Sequence, residues 1–423
     1  MPFRRTLLAL LCLVLVLLGG LTLVTRAADE EKGILASLIS RALSTPTTRV
    51  SIGAIDGALS SDATIRDIQI SDRDGVWLKL DRARIVWRRL ALLSRRLEID
   101  RLEIGILDIA RRPLPAETPV EGEDQPLLPE LPVRVEIKEF ALAELVLGEP
   151  VLGAAARLTA TGAARLGNPS EGLDLRFDAR RLDAGGEFVA RLGLVPQGER
   201  LDLELKLDEP AGGLLARAIN IPGLPPVRLD LTGSGTLDSF DSRLAFDAGP
   251  GIGARGGATV RRQGPARQLA LDMTAEISGL LPGVVAPVFA GTTRLTGGAT
   301  YGDDGAVTVP GITLTAAAAR LDISGSMNAD QMADLRITAG NLPNSETRTS
   351  VSGAEIRRLA VDARVTGPVT SPRVNATVSA EDARLPAGRL ARLDATLSAV
   401  PSGTVTSAAT RIDVTADARA TGV

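Results

Sequence analysis

Leu201-Asp202-Leu203-Glu204-Leu205-Lys206-Leu207 places an apolar residue at every second position and a charge at each position between. A period of two lines one face of a β-strand, whereas an amphipathic helix repeats every three to four residues. The same form appears in both directions along the chain: Leu173-Asp174-Leu175-Arg176-Phe177, Val227-Arg228-Leu229-Asp230-Leu231, Leu269-Ala270-Leu271-Asp272-Met273, Leu359-Ala360-Val361-Asp362-Ala363-Arg364-Val365 and Ile412-Asp413-Val414-Thr415-Ala416. Gly167-Asn168-Pro169-Ser170, Gly185-Gly186, Asp238-Ser239, Asp303-Asp304-Gly305 and Ser371-Pro372 supply turns between them. From Val50 onward the chain therefore reads as a succession of strands, each with one apolar and one charged or Thr-rich face. About 25 strands at ~4.8 Å each would make an array on the order of 100 Å long.

Three stretches break the rhythm. Residues 113–132 are Pro-rich, with Glu117, Glu121, Glu123, Asp124 and Glu130 and no base, and read as a solvated loop. Residues 210–226 and 278–289 hold Leu214-Leu215-Ala216 and Leu280-Leu281-Pro282, which predict short helices resting on the sheet. Thr-Gly pairs at 161, 232, 296 and 366, spaced 71, 64 and 70 residues apart, each end an alternating strand and mark a weak internal repeat.

Composition narrows the chemistry. The 423 residues carry 48 basic and 51 acidic side chains, no histidine and one cysteine. No imidazole means no Ser-His-Asp or Cys-His nucleophile and no His-ligated metal, and one thiol cannot form an internal disulfide or a CxxC pair. The expected function is therefore non-enzymatic, with no cofactor and no bound metal. Seven Phe, two Trp and one Tyr are too few for base-stacking surfaces or the aromatic girdles of an outer-membrane barrel, and a net charge of −3 gives no global attraction to nucleic acid.

Aromatic scarcity also bears on what the apolar faces meet, because closed sandwiches usually fill their cores partly with aromatics. The fold class expected is mainly β: a long, twisted, open sheet forming a groove whose aliphatic concave face meets something apolar that is not protein. A parallel β-solenoid with a dry core is the alternative. The groove face would comprise Leu173, Leu175, Phe177, Leu201, Leu203, Leu205, Leu207, Val227, Leu229, Leu231, Leu269, Leu271, Leu359 and Val361.

Ahead of the strands, Leu7 to Val24 is mostly Leu and Val and contains no charge, long enough to cross a hydrocarbon core of about 30 Å. Arg4 and Arg5 precede it, so residues 1–26 predict a transmembrane anchor with the N-terminus cytoplasmic and the remainder exported. The alternative is a cleaved signal peptide with Thr25-Arg26-Ala27 as an imperfect site. Residues 27–48 predict an amphipathic helix capped by Asp29, with Ile34, Leu35, Leu38, Ile39, Ala42 and Leu43 on one face. Residues 49–112 then form an N-terminal β unit, with an amphipathic helix around Leu90 to Leu97, and 133–423 the repetitive groove. Nine arginines fall between Arg82 and Arg112; among them Arg88, Arg89, Arg95 and Arg96 are candidates for contact with lipid phosphates, against the plain reading of a solvated polar face.

Two motifs point elsewhere and fail in context. Gly251-Ile252-Gly253-Ala254-Arg255-Gly256 matches GxGxxG, but a dinucleotide fingerprint must open a helix, and here the chain runs on through Gly264-Pro265 into a strand. Asp303-Asp304 and Glu121/Glu123/Asp124 lack the ligand spacing of a calcium loop and read as solvated turn acids.

Ile55-Asp56-Gly57, Ile65-Arg66-Asp67-Ile68-Gln69-Ile70-Ser71-Asp72, Gly75-Val76-Trp77-Leu78, Ile85-Val86-Trp87 and Leu97-Glu98-Ile99-Asp100-Arg101-Leu102-Glu103-Ile104, closing on Ile109-Ala110-Arg111-Arg112-Pro113, share a wording with a known family. The stretch resembles the N-terminal region of the TamB family, inner-membrane subunits of the translocation and assembly module within the wider AsmA-like repeating β-groove group. Pro222-Gly223-Leu224-Pro225, Leu231-Thr232-Gly233-Ser234-Gly235-Thr236-Leu237 and Leu321-Asp322-Ile323-Ser324-Gly325 fit more loosely. The resemblance implies a periplasmic groove anchored in the inner membrane by a single pass, carrying phospholipid toward the outer membrane and supporting assembly of outer-membrane proteins such as autotransporters. It also implies an outer-membrane barrel partner, TamA. Family members are longer and end in a partner-docking domain, whereas this sequence stops in strand-like residues, so it resembles an N-terminal fragment in which the TamA-docking region is missing. Two other functions fit the strand pattern: a chaperone-like factor offering a sheet edge to nascent strands, and a passive solenoid spacer or adhesin.

Overall fold

The structure is a computed structural model that describes residues 48–57, 60–114, 133–168, 170–196, 200–281, 286–342, 349–351, 354–385, 388–403 and 411–422. The expected anchor (1–26), nearly all of the helix expected over 27–48 and most of the acidic loop over 113–132 lie outside the described residues. Among the described residues no helix is long and apolar enough to cross a membrane. The chain divides into two compact units, residues 1–220 and 221–423.

Unit one holds nine strands in sequence order: β1 (Arg49–Asp56), β2 (Asp62–Asp72), β3 (Gly75–Trp87), β4 (Arg96–Ile109), β5 (Arg134–Leu147), β6 (Ala156–Leu166), β7 (Leu173–Arg181), β8 (Glu187–Val195) and β9 (Arg200–Glu209). Each pairs with the next, antiparallel except for the parallel β4–β5 pair. Register aligns the apolar positions: Ile52 faces Ile68 and Ile55 faces Ile65, Ile68 faces Leu80, Ile85 faces Leu102, and Ile99 faces Ile137. In β1–β5 this face is closed. Ile55, Ile68 and Ile99 are fully buried, and Trp77 and Trp87, the chain's two tryptophans, join the same cluster. Trp87 donates its indole N–H to the Ser60 carbonyl at 3.1 Å. The packed face of β1–β4 falls in the expected N-terminal unit, and the open face expected from residue 133 onward is corrected at β5, whose Val135, Ile137 and Leu142 join that core.

A parallel pair needs a crossover that returns to the starting end of the sheet. The departure point of this one is fixed by Asp72, whose side chain is 5% exposed and accepts from Arg111 Nη1 at 2.9 Å and Arg111 Nη2 at 2.5 Å. The Asp74 and Leu114 backbone amides donate to the same carboxylate at 2.9 and 3.1 Å. The Arg111 hydrogen bonds, chiefly, hold the Asp72 carboxyl far below the usual carboxylate range. A depressed pKa contributes stability above the unfolded value near 4 and loses it as pH falls from there toward the folded value. Asp72→Asn is therefore expected to lower the melting temperature by a few degrees at pH 7. The gap to wild type should narrow below about pH 4, which thermal melts across pH 2.5–7 will show.

Unit two holds β10 (Val227–Gly235), β11 (Ser239–Asp247), β12 (Gly253–Gln263), β13 (Ala266–Glu276), β14 (Thr293–Gly302), β15 (Val307–Thr315), β16 (Ala319–Met327), β17 (Met332–Asn341), β18 (Thr349–Val351), β19 (Ala354–Pro368), β20 (Arg373–Leu385), β21 (Gly388–Pro401) and β22 (Ile412–Thr421). Pairing is antiparallel from β10 to β22, with β17 and β18 both on β19. That excludes the parallel solenoid. The sheet is mainly β and open, as expected.

Short helical departures recur after every fourth strand. Helix α1 (Glu149–Leu152) precedes β6, α2 (Leu214–Ala218) follows β9, and 3-10 turns at Ser278–Leu280 and Ala286–Phe289 follow β13. The Thr-Gly pairs fall on β6, β10, β14 and β19, four strands apart in the first two intervals and five in the last, which includes the three-residue β18; most pairs lie inside their strands rather than at the ends. Many buried apolar residues of unit two lie at the departure edge: Ile221 precedes β10 and Val227 opens it, Ala248 and Ile252 flank the β11–β12 turn, and Val288, Ala316 and Ala318 continue the row, while Ala333, Ala363, Ala380 and Ala383 are buried within β17, β19 and β20. In unit one α2 docks Leu214 against Leu147 and Ala156, and Glu209 accepts from the Leu214 and Leu215 amides at 3.1 and 2.8 Å, capping the helix start. The helix expected around Leu90 to Leu97 is a shorter 3-10 turn, Arg89–Ser94, because Arg95 turns left-handed at φ 54° and the chain is extended again from Arg96.

Candidate functional site

Strand alternation and register together assemble the expected face. In unit one Val135, Leu166, Leu173, Leu194 and Leu201 align across β5–β9, beside Ile137, Ala164, Leu175, Leu192 and Leu203. Phe140, Gly162, Phe177, Ala190 and Leu205 make the third row, and Phe188 faces Leu207 in the fourth. Phe177 lies between Phe140 and Phe188, with ring centroids 6.5 and 6.2 Å apart. Leu173, Leu175, Leu201, Leu203, Leu205 and Leu207 are half-buried, so the face that is closed over β1–β5 opens toward β9.

Unit two extends the same arrangement much further. One row runs Leu231, Leu244, Gly256, Met273, Leu295, Leu314, Leu321, Ala339, Val361, Val378, Ala395 and Ala418, each paired with the next and none of them polar. The neighbouring row carries Leu271, Ile312, Ile323, Ile337, Ala363 and Leu397. Leu229, Leu231, Leu269, Leu271, Leu359 and Val361 are half-buried on this face, whereas Val227, at 0% exposure, belongs to the packed edge and is withdrawn from it. A dozen strands at ~4.8 Å make these rows on the order of 60 Å long.

Glycines keep parts of the face shallow for a steric reason. Gly297 has φ 131°, and a Cβ there would stand 2.1 Å from the Gly311 carbonyl oxygen. Aromatics were underestimated from composition: Phe140, Phe177, Phe188, Phe240 and Phe246 all share the apolar faces. Leu244, Leu295, Leu314 and Ile337 were missed too. Gly, Ala and Thr break the alternation around them, and only cross-strand register restores the row.

The opposite face is polar along its length. In unit two Thr232, Arg243, Asp272, Thr296, Thr313, Asp322, Thr338, Asp362, Thr377, Thr396 and Asp417 share one row, interrupted by Gly257. Arginine–aspartate pairs lace it: Arg261 to Asp241 at 2.7 Å, Arg336 to Asp362 at 2.5 Å and Arg364 to Asp334 at 2.6 Å. The hydrogen bonds from Arg336 and Arg364 hold Asp362 and Asp334 below the usual carboxylate range. Being exposed, such pairs add little stability each, but they keep this face wet. Over β16–β22 the polar face itself is recessed, a trough of about 1,020 Å³ lined by residues such as Asp322, Thr338, Asp362, Thr377 and Asp394. The aliphatic recess expected on the concave side does not describe that trough.

The motifs set aside earlier have structural roles. The GxGxxG stretch is the β11–β12 connection and the start of β12. Asp303 is held by Arg262 at 2.6 Å and Arg267 at 3.0 Å, and both arginines also hold Asp238, at 3.3 and 2.9 Å, so three successive hairpin turns are tied along one rim. Asp304 accepts from the Ala306 amide at 3.0 Å. Of the candidate phosphate-contacting arginines, Arg88 turns to Asp100 at 3.1 Å and Arg96 to Glu98 at 3.2 Å, while Arg89 and Arg95 bound the 3-10 turn. No family model, no curated protein and no solved structure matches the chain.

Proposed function

We propose that this chain is a non-enzymatic envelope protein whose apolar sheet face holds phospholipid acyl chains and conducts them from the inner toward the outer membrane. The observation that carries the reading is the row from Leu231 to Ala418, apolar across twelve paired strands yet only half-buried along its length, with Ala418 exposed. Acyl chains suit it because they are continuous, aliphatic and undemanding in direction, as is the row; a folded protein partner would call for distinct aromatic or charged anchors. The Leu7–Val24 run fits a single-pass inner-membrane anchor with the strands in the periplasm. The family resemblance adds support for autotransporter and other outer-membrane protein assembly, and for TamA as the distant partner.

Photocrosslinkers incorporated in cells at Leu203 and Leu229 are expected to capture phospholipid, identified by mass spectrometry of the adduct. Capture of polypeptide instead, particularly from the edge strand β22, would favour the chaperone-like reading.

A further inference from the structure

The 3-10 turn between β3 and β4 reads Arg88-Arg89-Leu90-Ala91-Leu92-Leu93-Ser94-Arg95-Arg96, four arginines around four apolar residues with no acid among the nine. In a 3-10 helix, positions three apart eclipse one another. Leu90 and Leu93 are three apart, and they stand out at 80% and 84% exposure, the two highest among the large apolar residues of the described chain. Leu92, on the other side of the turn, packs against the β1–β5 core and fixes the turn in place. Arg95 closes it in the left-handed region at φ 54°, where a glycine would be less strained, so the sequence keeps a cation there at some conformational expense. With Arg88 and Arg96 drawn to Asp100 and Glu98, the turn presents two leucines between Arg89 and Arg95, which matches the boundary between phosphate and acyl layers, where apolar tips enter and cations meet anionic headgroups.

We infer that the β3–β4 turn is a membrane-dipping tip that docks unit one on an anionic bilayer surface through Leu90 and Leu93, with Arg89 and Arg95 beside the phosphates while Arg88 and Arg96 stay on Asp100 and Glu98. This goes beyond the apolar-face reading and does not depend on it. Register sharpens the point. Arg49 pairs with Ser71 at the β2–β3 turn end, and the tip lies at the opposite end of the same strands, so Asp74 reports on the far end of the unit.

The test uses the full chain with Cys12→Ser, carrying one environment-sensitive fluorophore on Leu93→Cys, on Leu90→Cys, or on Asp74→Cys in the β2–β3 turn. Each is reconstituted in phosphatidylcholine vesicles with or without one-third phosphatidylglycerol and quenched with spin-labelled lipid. The expected result is strong quenching at 90 and 93, little at 74, and loss of the signal without the anionic lipid. Arg89→Gln and Arg95→Asn together should reduce tip quenching well over ten-fold, about five-fold for each arginine. With the fluorophore at 93, Leu90→Ser should reduce it roughly ten-fold. Equal quenching at 74 and 93, absence of quenching at both tip positions, or indifference to anionic lipid would overturn the proposal. A chain that purifies without lipid yet quenches at 93 separates the tip from the conduit reading, and the converse result does the same.

Discussion

Leu271→Glu combined with Leu314→Glu is expected to strip co-purifying phospholipid from the full chain at least ten-fold, measured by quantitative lipid mass spectrometry, while leaving the circular dichroism spectrum unchanged. Both leucines lie on the apolar face of unit two, on β13 and β15, and both are half-buried. A carboxylate facing acyl chains must be dehydrated or drag water onto the face, and charges placed among hydrocarbon cost about 2.5–3.5 kcal/mol each by insertion measurements. In an open sheet the same carboxylates reach water once lipid is gone, so the fold survives. Thr396→Lys, on the opposite polar row among aspartates, should leave the lipid content within two-fold. Wild-type protein free of lipid, or equal loss from the Thr396 variant, would sink the conduit reading.

A second large effect separates the closed part of the sheet from the open part. Ile99 is 0% exposed in the β1–β5 core, so Ile99→Ala should cost about 2–5 kcal/mol through lost burial and a residual cavity. Leu271→Ala removes a side chain that already meets solvent and should cost under about 1.5 kcal/mol. Trp77 and Trp87 both sit in the Ile99 cluster, so tryptophan fluorescence during urea unfolding reports on that core alone. Ile99→Ala is expected to move the fluorescence midpoint sharply downward, and Leu271→Ala to leave it in place. A fluorescence shift for Leu271→Ala would mean that the Ile99 core does not unfold by itself, and a stability loss by circular dichroism as large as that of Ile99→Ala would mean that the face of unit two is packed as tightly as the core.

Much of the fold was legible because a strand's two faces are written in alternate residues. Leu201 to Leu207 declared β9 without help, and the turn residues at 167–170, 238–239 and 303–305 located hairpins correctly. Gly251 to Gly256 could be set aside as a nucleotide site because nothing helical follows it. The helix expected around Leu90 to Leu97 was too long because its apolar spacing is shared by a 3-10 turn, and only the left-handed backbone at Arg95 ends it early. Asp303 read as a solvated acid; its partners Arg262 and Arg267, which also hold Asp238 from 65 residues earlier in the sequence, come from other turns, a proximity set by strand pairing.

The open face was legible only in kind. Val227 continues the same alternation as Leu229 and Leu231, yet it is sealed at the departure edge while they are half-exposed. Composition suggested uniform aliphatic lining, but register brings Phe140, Phe177 and Phe188 together on the face of unit one, and Phe240 and Phe246 share that of unit two. Alternation and turn residues alone were enough to read this protein as a succession of two-faced strands, with no imidazole and a single thiol. Tertiary structure decided where those faces close on themselves and where they stay open. The reason is that alternation orients a side chain relative to its own strand only, whereas burial depends on what neighbouring strands and edge helices place over it.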